Sequence, residues 1–387
     1  MNQTEDIRIE KDENENAGSM YYDILANKYR NARRVVLVCL VLFLAFMIIF
    51  GYRDMKISNF RYLFKYQTIN AFTLDDMYID VVHSAGSGAA FALYKGDLAV
   101  LGEDKISLYR LDDELIYKEY TVGAKNTLAV GGKYFAVYQT GGKTIALYDS
   151  FSRVYDAALE SPVGLVSLGD NGAVAVYTKE NGSTVTVYDD GFSEKFQWRS
   201  SSRVVLDMAF SSDGERLAVL SMGVKNGAFD SELTVFDLTS EKVLFTKTYP
   251  KKQAVDVEFF EDGRILVSVG GVLCLYDRDG DEETELFGFS LYSKEQNSLA
   301  VISAVGEITV FSSRGKELWR AESVGAVSQM RLENGTVCTV GDAIAAVYYE
   351  DGEFSSAAIP AGALDFFVAD DGSFILCYAT QTVRATP

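Results

Sequence analysis

The stretch ELTVFDLTSEKVLFTK, residues Glu232–Lys247, consists of an alternating apolar run, a polar turn and a second alternating run. Successive side chains of a strand point to opposite faces, so this pattern predicts a β-hairpin. The first run ends in an aromatic residue, Phe236. Aromatic-ended runs of this kind decide the fold, because the chain repeats them.

Seven copies of the aromatic-ended run are spread along the chain. Their aromatic residues are Tyr109, Tyr148, Tyr188, Phe236, Tyr276, Phe311 and Tyr348, with spacings of 39, 40, 48, 40, 35 and 37 residues. The run Thr382–Thr386 has the position of an eighth copy, with Arg384 in place of the aromatic residue. A period of about 40 residues is typical of β-propellers, whose blades are four-stranded sheets.

A turn residue precedes another apolar strand in each unit. These turn residues are Gly96, Gly132, Gly172, Gly214, Gly263, Asn297, Gly335 and Gly372. Asp-Gly and Asn-Gly pairs supply the positive φ angles that tight turns need. Each unit is therefore interpreted as strand a, a turn, strand b, a loop, strand c with the aromatic residue, a turn and strand d. We predict an all-β, eight-bladed β-propeller; a seven-bladed ring with one irregular unit is the alternative.

The last unit has no fourth strand before Pro387. An unpaired sheet edge would be open to association with other strands. Residues 77–83, MYIDVVH, alternate correctly just before the first unit. We expect this segment to close the ring, so that the propeller spans residues 77–387.

Residues 35–52, VVLVCLVLFLAFMIIFGY, form an uncharged apolar run of 18 residues. This length is just sufficient to cross a bilayer as a helix. No small-residue cleavage site follows the run, which favours a transmembrane helix over a cleaved signal peptide. Four basic residues lie on each side of the run, but those on the N-terminal side, which include Arg33 and Arg34, are closer to it. This proximity and the short N-terminal tail favour a cytoplasmic N-terminus. The sequence thus predicts a cytoplasmic tail at 1–34, a stalk at 53–76 and a propeller outside the membrane.

Charge and residue usage exclude several functions. The formal net charge is −19, which argues against a nucleic-acid partner, because phosphate binding depends on clustered Lys and Arg. His83 is the only histidine, so a His-rich zinc site is excluded. Cys274, Cys338 and Cys377 lie in apolar runs and are expected to be buried free thiols.

One acidic segment resembles a calcium loop. Asp277–Glu283, DRDGDEE, places carboxylates at alternate positions, but it lacks the later bidentate Glu of an EF-hand. It also falls where a turn between strands c and d is expected. We interpret the segment as a solvated turn, with calcium binding as the open alternative.

Two blade types are similar to parts of this sequence. FSSDGERLAVLS at Phe210–Ser221, followed by LTVFDLTSEK, resembles WD-repeat blades. SSRGKELWRAE at Ser312–Glu322 is similar to quinoprotein-type blades. A quinone cofactor is not expected. Quinone-dependent dehydrogenases with such blades stack the cofactor against several tryptophans and a vicinal disulfide, whereas this chain has only Trp198 and Trp319 and no adjacent cysteines.

The whole architecture resembles an uncharacterised family of single-pass membrane-anchored propeller proteins of clostridial-type Gram-positive bacteria. That family has no assigned activity, so the resemblance implies a fold and transfers no functional residue. Envelope assembly lipoproteins built from such blades provide the functional parallel, as binding scaffolds without chemistry. No cofactor is expected.

One insertion departs from the repeat. The spacing of 48 contains GVKNGAFD, residues Gly223–Asp230, between strands b and c of the fourth unit. In propellers, the b-to-c and d-to-a connections share one face, so an insertion there is a binding-site candidate. With the flanking connections it predicts a basic and aromatic patch, which comprises Trp198, Arg199, Arg203, Lys225, Phe229, Tyr249, Lys251 and Lys252. Scattered surface residues, with Trp198 packed between blades, are the simpler interpretation.

The sequence therefore favours a non-catalytic binding scaffold that recognises an envelope protein, a peptide or a wall polymer. The alternative is a propeller hydrolase or lyase with its site in the central channel. Acidic side chains that converge at the axis beside a ligand-sized pocket would favour the enzyme.

Overall fold

The computed structural model describes residues 33–42, 80–83, 85–111, 115–121, 125–180, 182–225, 227–369 and 372–386. The chain divides into two compact units, Met1–Thr73 and Leu74–Pro387. In the first unit, the described residues form helix α1 at 33–42. No helix within the described ranges is long and apolar enough to span a membrane. The remainder of the predicted span, 43–52, and the predicted stalk lie outside the described residues.

The described part of the second unit forms eight four-stranded antiparallel sheets. Strand β1 spans Asp80–Val82. The first blade comprises β2 (Ala90–Tyr94), β3 (Asp97–Leu101), β4 (Lys105–Arg110) and β5 (Leu115–Tyr120). The second comprises β6 (Asn126–Val130), β7 (Phe135–Gln139), β8 (Thr144–Tyr148) and β9 (Arg153–Ala158), and the third β10 (Val163–Leu168), β11 (Val174–Lys179), β12 (Ser183–Tyr188) and β13 (Glu194–Ser200).

The remaining blades follow in chain order. The fourth comprises β14 (Arg203–Phe210), β15 (Arg216–Lys225), β16 (Ala228–Asp237) and β17 (Lys242–Pro250), and the fifth β18 (Ala254–Phe259), β19 (Ile265–Val269), β20 (Val272–Tyr276) and β21 (Glu282–Leu286). The sixth comprises β22 (Phe289–Glu295), β23 (Ser298–Ser303), β24 (Glu307–Ser312) and β25 (Glu317–Glu322), and the seventh β26 (Gln329–Glu333), β27 (Thr336–Val340), β28 (Ile344–Tyr348) and β29 (Phe354–Ala358). The eighth contains β30 (Asp365–Val368), β31 (Phe374–Cys377) and β32 (Gln381–Ala385). The eight-bladed prediction is confirmed, and the seven-bladed alternative is wrong.

The eighth sheet is completed by a strand from the other end of the domain. Its order is β1-β32-β31-β30, so β1 is its outer strand. Asp80 pairs with Val383 and Val82 pairs with Gln381. Residues 77–79 of the predicted closing segment lie outside the described residues. The pairing ties the beginning of the propeller to its last blade.

The hydrophobic core consists of clusters between neighbouring blades. One cluster joins Ala218 and Leu233 of the fourth blade to Val267 of the fifth. Another cluster joins Ile375 of the eighth blade to Val100 of the first, so the clusters between blades form a closed ring. Each blade therefore buries both of its faces against neighbours, as the apolar strand patterns require.

Aspartates cap many of the turns between strands c and d. The Asp237 carboxylate accepts hydrogen bonds from the backbone N–H groups of Thr239 and Ser240. The Asp277 carboxylate accepts bonds from Asp279 and Asp281 in the same way. This geometry explains why acidic residues recur at these turns, since an Asp side chain satisfies backbone donors that the turn leaves unpaired. No group of three or more His, Cys, Asp or Glu side chains able to hold a metal ion occurs in the described part of the chain.

The propeller cysteines are buried free thiols. Burial raises the pKa of Cys274 and of Cys338 to about 11, and that of Cys377 to about 12. Because the thiolate is the reactive form, these side chains hold little of the reactive species at neutral pH.

Substitution of Val81 by Asp should weaken ring closure. Val81 is 0% exposed, whereas its neighbour Val82 is 70% exposed on the other face of β1. A buried charge without a partner should lower the free energy of unfolding by about 3 kcal/mol or more, as measured by chemical denaturation. Val82→Asp is the matched control and should change stability by less than about 0.5 kcal/mol. Equal losses in the two variants would contradict a closing role for β1.

Candidate binding surface on the fourth blade

The insertion extends the sheet of the fourth blade. Gly223 pairs with Asp230, Val224 with Phe229, and Lys225 with Ala228, so the added residues lengthen β15 and β16. Each of these strands has 10 residues, whereas β19 and β20 of the fifth blade have 5. Gly227 has a φ of 76°, which suits the tight turn at the tip. The fourth blade therefore projects beyond its neighbour on the face of the b-to-c connections.

An ion pair across three strands holds the base of this projecting hairpin. Arg203 pairs with Gly223, which in turn pairs with Asp230. The Arg203 Nη2 atom lies 2.7 Å from Asp230 Oδ2 and 3.0 Å from Glu232 Oε2. The missing side chain of Gly223 leaves room for the guanidinium, because an added Cβ would lie 3.1 Å from Arg203 Cγ. Arg203, Gly223 and Asp230 lie side by side on three neighbouring strands, and we call the ion pair between Arg203 and Asp230 the clamp.

Two hydrogen bonds tie the hairpin to the following connection. The Ser231 hydroxyl accepts a bond from the Ala254 N–H at 2.9 Å, and this contact is buried. The Phe229 carbonyl accepts a bond from the Lys251 N–H at 3.1 Å. The insertion is thereby fixed to the fourth and fifth blades, and it presents a preformed surface.

Three residues of the predicted patch are committed to the interior or to the clamp. Trp198 packs with Phe236 in the cluster between the third and fourth blades, with ring centroids 6.1 Å apart. Tyr249 is buried in the cluster between the fourth and fifth blades, and burial raises the pKa of its hydroxyl. Arg203 forms the ion pairs described above. Most of the surface of these three side chains is therefore covered by contacts within the protein.

The other patch residues are only partly brought together. Phe229, Lys251 and Lys252 are exposed at the projecting hairpin and its adjoining connection. Arg199 is exposed but follows Trp198 on β13, so its side chain points to the opposite face of the third blade. Lys225 is placed by its backbone pairing at the hairpin tip.

Carboxyl groups converge on the innermost strands of the fourth and fifth blades, beside a tyrosine of the sixth. The Asp207 carboxylate accepts a bond from the Val257 N–H at 2.9 Å and shares a hydrogen bond with Asp256. The Tyr292 hydroxyl donates to Asp256 at 2.5 Å. Sequence reasoning missed this group. Its signal was AVDVEF at 254–259, where Asp256 and Glu258 occupy alternate positions on an apolar strand.

The environments of Asp207 and Glu258 favour the protonated forms of these two carboxyl groups. Burial, followed by the hydrogen bond to Asp256, raises the pKa of Asp207 above its ordinary value. Burial raises the pKa of Glu258 to about 7, although Lys294, 3.6 Å away, opposes this shift. Desolvation disfavours the charged form, so Asp207 and Glu258 hold their protons to higher pH than exposed carboxyl groups do.

A cavity of about 450 Å³ lies away from these carboxyl groups. Tyr188 and Asp189 of the third blade and Glu215 and Thr239 of the fourth contribute to its lining. These residues belong to the a-to-b and c-to-d ends of the blades. The cavity is therefore on the face opposite the projecting hairpin, and it does not combine with the inner carboxyl pair into one site.

His83 has a structural position beside β1. Its Nε2 atom lies 3.1 Å from Thr382 Oγ1, and its ring packs 5.5 Å from that of Phe91. Burial, with a smaller contribution from Lys105, lowers the pKa of His83. The neutral His83 imidazole therefore packs at the interface between the eighth and first blades.

A family model matches residues 70–358, which are most of the propeller. The chain belongs to the DUF5711 family of proteins of unknown function. No curated protein matches its sequence. The family assignment thus agrees with the extent of the fold and names no activity for this DUF5711 protein.

Solved structures show the same architecture at low sequence identity. BamB from Moraxella catarrhalis is 12% identical, with a TM-score of 0.54 over 79% of this chain and 98% of BamB. Sqt1 from Chaetomium thermophilum, solved with the N-terminus of ribosomal protein L10, is 14% identical, with a TM-score of 0.57 over 79% of this chain and 99% of Sqt1. The computationally designed protein Ika8 is 13% identical, with a TM-score of 0.60 over 79% and 98%. These likenesses establish the propeller fold of the DUF5711 chain.

Gly223→Ala should loosen the projecting hairpin. The new Cβ would lie 3.1 Å from Arg203 Cγ and 3.2 Å from the Ser202 carbonyl oxygen, which should displace the guanidinium from Asp230. We expect faster amide hydrogen exchange at 224–229 and a loss of about 1–3 kcal/mol in unfolding free energy. Gly88→Ala is the control, because an added Cβ there has no neighbour within 4 Å. Unchanged exchange in Gly223→Ala would show that the ion pair does not hold the hairpin.

Glu258→Gln should reduce the pH dependence of stability. In the wild type, the pKa of Glu258 is about 7 when folded and about 4.3 when unfolded, so the folded state holds the extra proton between these values. The stability that this preferential proton binding adds to the folded state is fully present below about pH 4. It is lost as the pH rises to 7. From pH 5 to pH 8, the wild type should lose more unfolding free energy than Glu258→Gln, by an amount that solvent screening of the partly exposed side chain reduces.

Urea denaturation at several pH values measures this difference. Lys294→Met provides a second test, because Lys294 opposes the shift, and its removal should move the loss of stability to higher pH. Parallel pH profiles for all three proteins would contradict the assignment.

Proposed function

We propose that the protein is a membrane-anchored, extracytoplasmic scaffold that binds an envelope protein, a peptide or a wall polymer. Helix 35–52 would anchor it, with the N-terminus in the cytoplasm and the propeller outside. The resemblance to clostridial-type Gram-positive proteins supports an envelope of that kind. Recognition by a rigid surface, without chemistry, is the mechanism.

The observation that carries this proposal is the projecting hairpin of the fourth blade. It departs from the repeated blade, and it is held in place by Arg203 and by the Ser231 hydroxyl. Phe229, Lys251 and Lys252 are exposed there. A preformed surface of aromatic and cationic side chains suits protein recognition, because little conformational entropy is lost on binding.

The structural comparisons support a binding role without specifying it. The Sqt1 propeller was solved with a segment of another protein bound to it. Since its likeness to this chain is in the fold, it supports the class of function only. A protein or peptide partner is therefore favoured over catalysis as the general role.

A channel hydrolase or lyase is the second candidate, because Asp207, Asp256 and Glu258 do converge on the inner strands. Two contacts weigh against catalysis at this group. Asp207 is engaged by the Val257 N–H and Asp256 by the Tyr292 hydroxyl. Moreover, the cavity of about 450 Å³ lies elsewhere. Partner capture that survives Asp256→Asn would separate binding from any reaction in the channel.

A photoreactive amino acid at position 229 should crosslink the full-length protein to its partner in intact cells. Mass spectrometry of the adducts would identify that partner. Tyr349 is the matched control position, because it is exposed on the opposite face, in a c-to-d turn. We expect adducts from position 229, few from position 349, and strong reduction in the Lys251→Glu/Lys252→Glu variant. Equal labelling at both positions, or none, would contradict the proposed surface.

A further inference from the structure

At the tip of the projecting hairpin, one sheet face has no packing partner among the described residues. On that face, Leu220 and Leu233 pack against the fifth blade. Val224 and Phe229 follow on the same face, because they are separated from those residues by even numbers of positions. Val224 is 71% exposed and Phe229 is 45% exposed. The apolar stripe that forms the core lower in the blade therefore continues into solvent.

The fifth blade ends below this stripe. Its b-to-c turn consists of Gly270 and Gly271 alone, so no side chain of that turn rises towards Phe229. Lys252 extends beside Gly270, where an added Cβ would lie 3.4 Å from the Lys252 Cδ atom. Val255, at the beginning of β18, is 64% exposed. The hairpin and the low fifth blade thus form a ledge, defined by Val224, Phe229, Lys251, Lys252 and Val255.

The charges at the ledge are arranged unevenly. Asp230 and Glu232 point to the opposite face of the hairpin, where Arg203 neutralises them. Lys251 and Lys252 are exposed beside the ledge. On the fifth blade, Asp256 follows Val255 and accepts a hydrogen bond from the Tyr292 hydroxyl, and Glu285 lies on the outer strand beside Cys274. An otherwise strongly acidic protein therefore presents two cations next to an uncovered apolar stripe.

We propose that the ledge binds an extended segment of another protein in which aliphatic or aromatic side chains alternate with carboxylates. The apolar side chains would cover Val224, Phe229 and Val255, and the carboxylates would pair with Lys251 and Lys252. An extended segment fits, because alternate side chains point in opposite directions and can meet both parts of the ledge. This inference rests on the proposed binding function and specifies the chemistry of the partner.

The apolar component distinguishes this partner from an anionic polymer. A polymer of phosphates or carboxylates would need only the lysines, whereas the exposed stripe favours a ligand that removes Val224 and Phe229 from water. The preformed hairpin reduces the ordering that binding requires, so a short segment can gain measurable affinity.

Fluorescence anisotropy with the purified full-length chain tests the proposal. The probe is a labelled heptapeptide of alternating Glu and Leu, and the comparison peptides are alternating Lys and Leu, and oligoglutamate of the same length. We expect the Glu–Leu peptide to bind at least tenfold more tightly than either comparison peptide. Val224→Ser/Phe229→Ser and Lys251→Glu/Lys252→Glu should each weaken its binding about tenfold or more.

Val243→Ser is the matched control, because Val243 is also exposed on the fourth blade but lies at the far end of β17. It should bind the Glu–Leu peptide as the wild type does. Thermal unfolding of every variant verifies that folding is retained, which is expected since the substituted side chains are exposed.

Three results would overturn the inference. Equal binding of oligoglutamate, unaffected by Val224→Ser/Phe229→Ser, would assign the ledge to an anionic polymer. Equal binding of the Lys–Leu peptide would remove the role of the lysines. Unchanged or undetectable binding of the Glu–Leu peptide in the wild type and all variants would reject the ledge as its site. Crosslinking from position 229 can still succeed in each case, so the proposed scaffold function is tested separately.

Discussion

Burial between neighbouring blades is the constraint on which the structure depends. A single four-stranded sheet cannot hide both of its apolar faces, so each blade needs a neighbour on either side. Every blade face is covered only when the last blade packs against the first, where Ile375 and Val100 share a hydrophobic cluster. Strand β1 secures that meeting through a pairing of three residues with β32. Stability of every blade is therefore linked to this short pairing.

The same constraint explains why so much of the fold can be predicted from sequence. Every blade solves one packing problem, so the aromatic of strand c and the turn before strand b recur at a readable period. The candidate surface was less predictable. The positions of the connections in the repeat placed Trp198, Arg203 and Tyr249 in one patch, but a repeat count cannot tell which strand face each side chain takes. The clamp between Arg203 and Asp230 depends on registration across three strands, which becomes visible only in the structure.

Departures from the repeat are concentrated in one sector of the ring. The fourth blade carries the longest hairpin among the described residues, and the inner strands of the fourth and fifth blades carry the half-buried carboxyl groups. Elsewhere, the inner strands are linked by neutral or oppositely charged contacts, such as Ser293 with the Leu332 N–H and Arg331 with Asp365. A structural repeat tolerates such local change because each blade contacts only its neighbours. Function can therefore vary in one sector while the ring remains intact.

The aspartate-capped turns have an electrical consequence. Asp189, Asp237 and Asp277 lie on the same end of the blades, because every c-to-d turn opens to that face. The Asp side chains that satisfy the backbone donors of these turns also concentrate negative charge on the face of the c-to-d turns. The exposed lysines of the ledge lie on the opposite face. The propeller should consequently carry a permanent dipole moment along its axis. Near a negatively charged surface this dipole would favour one orientation of the ring, within the screening length of about 8 Å at physiological salt.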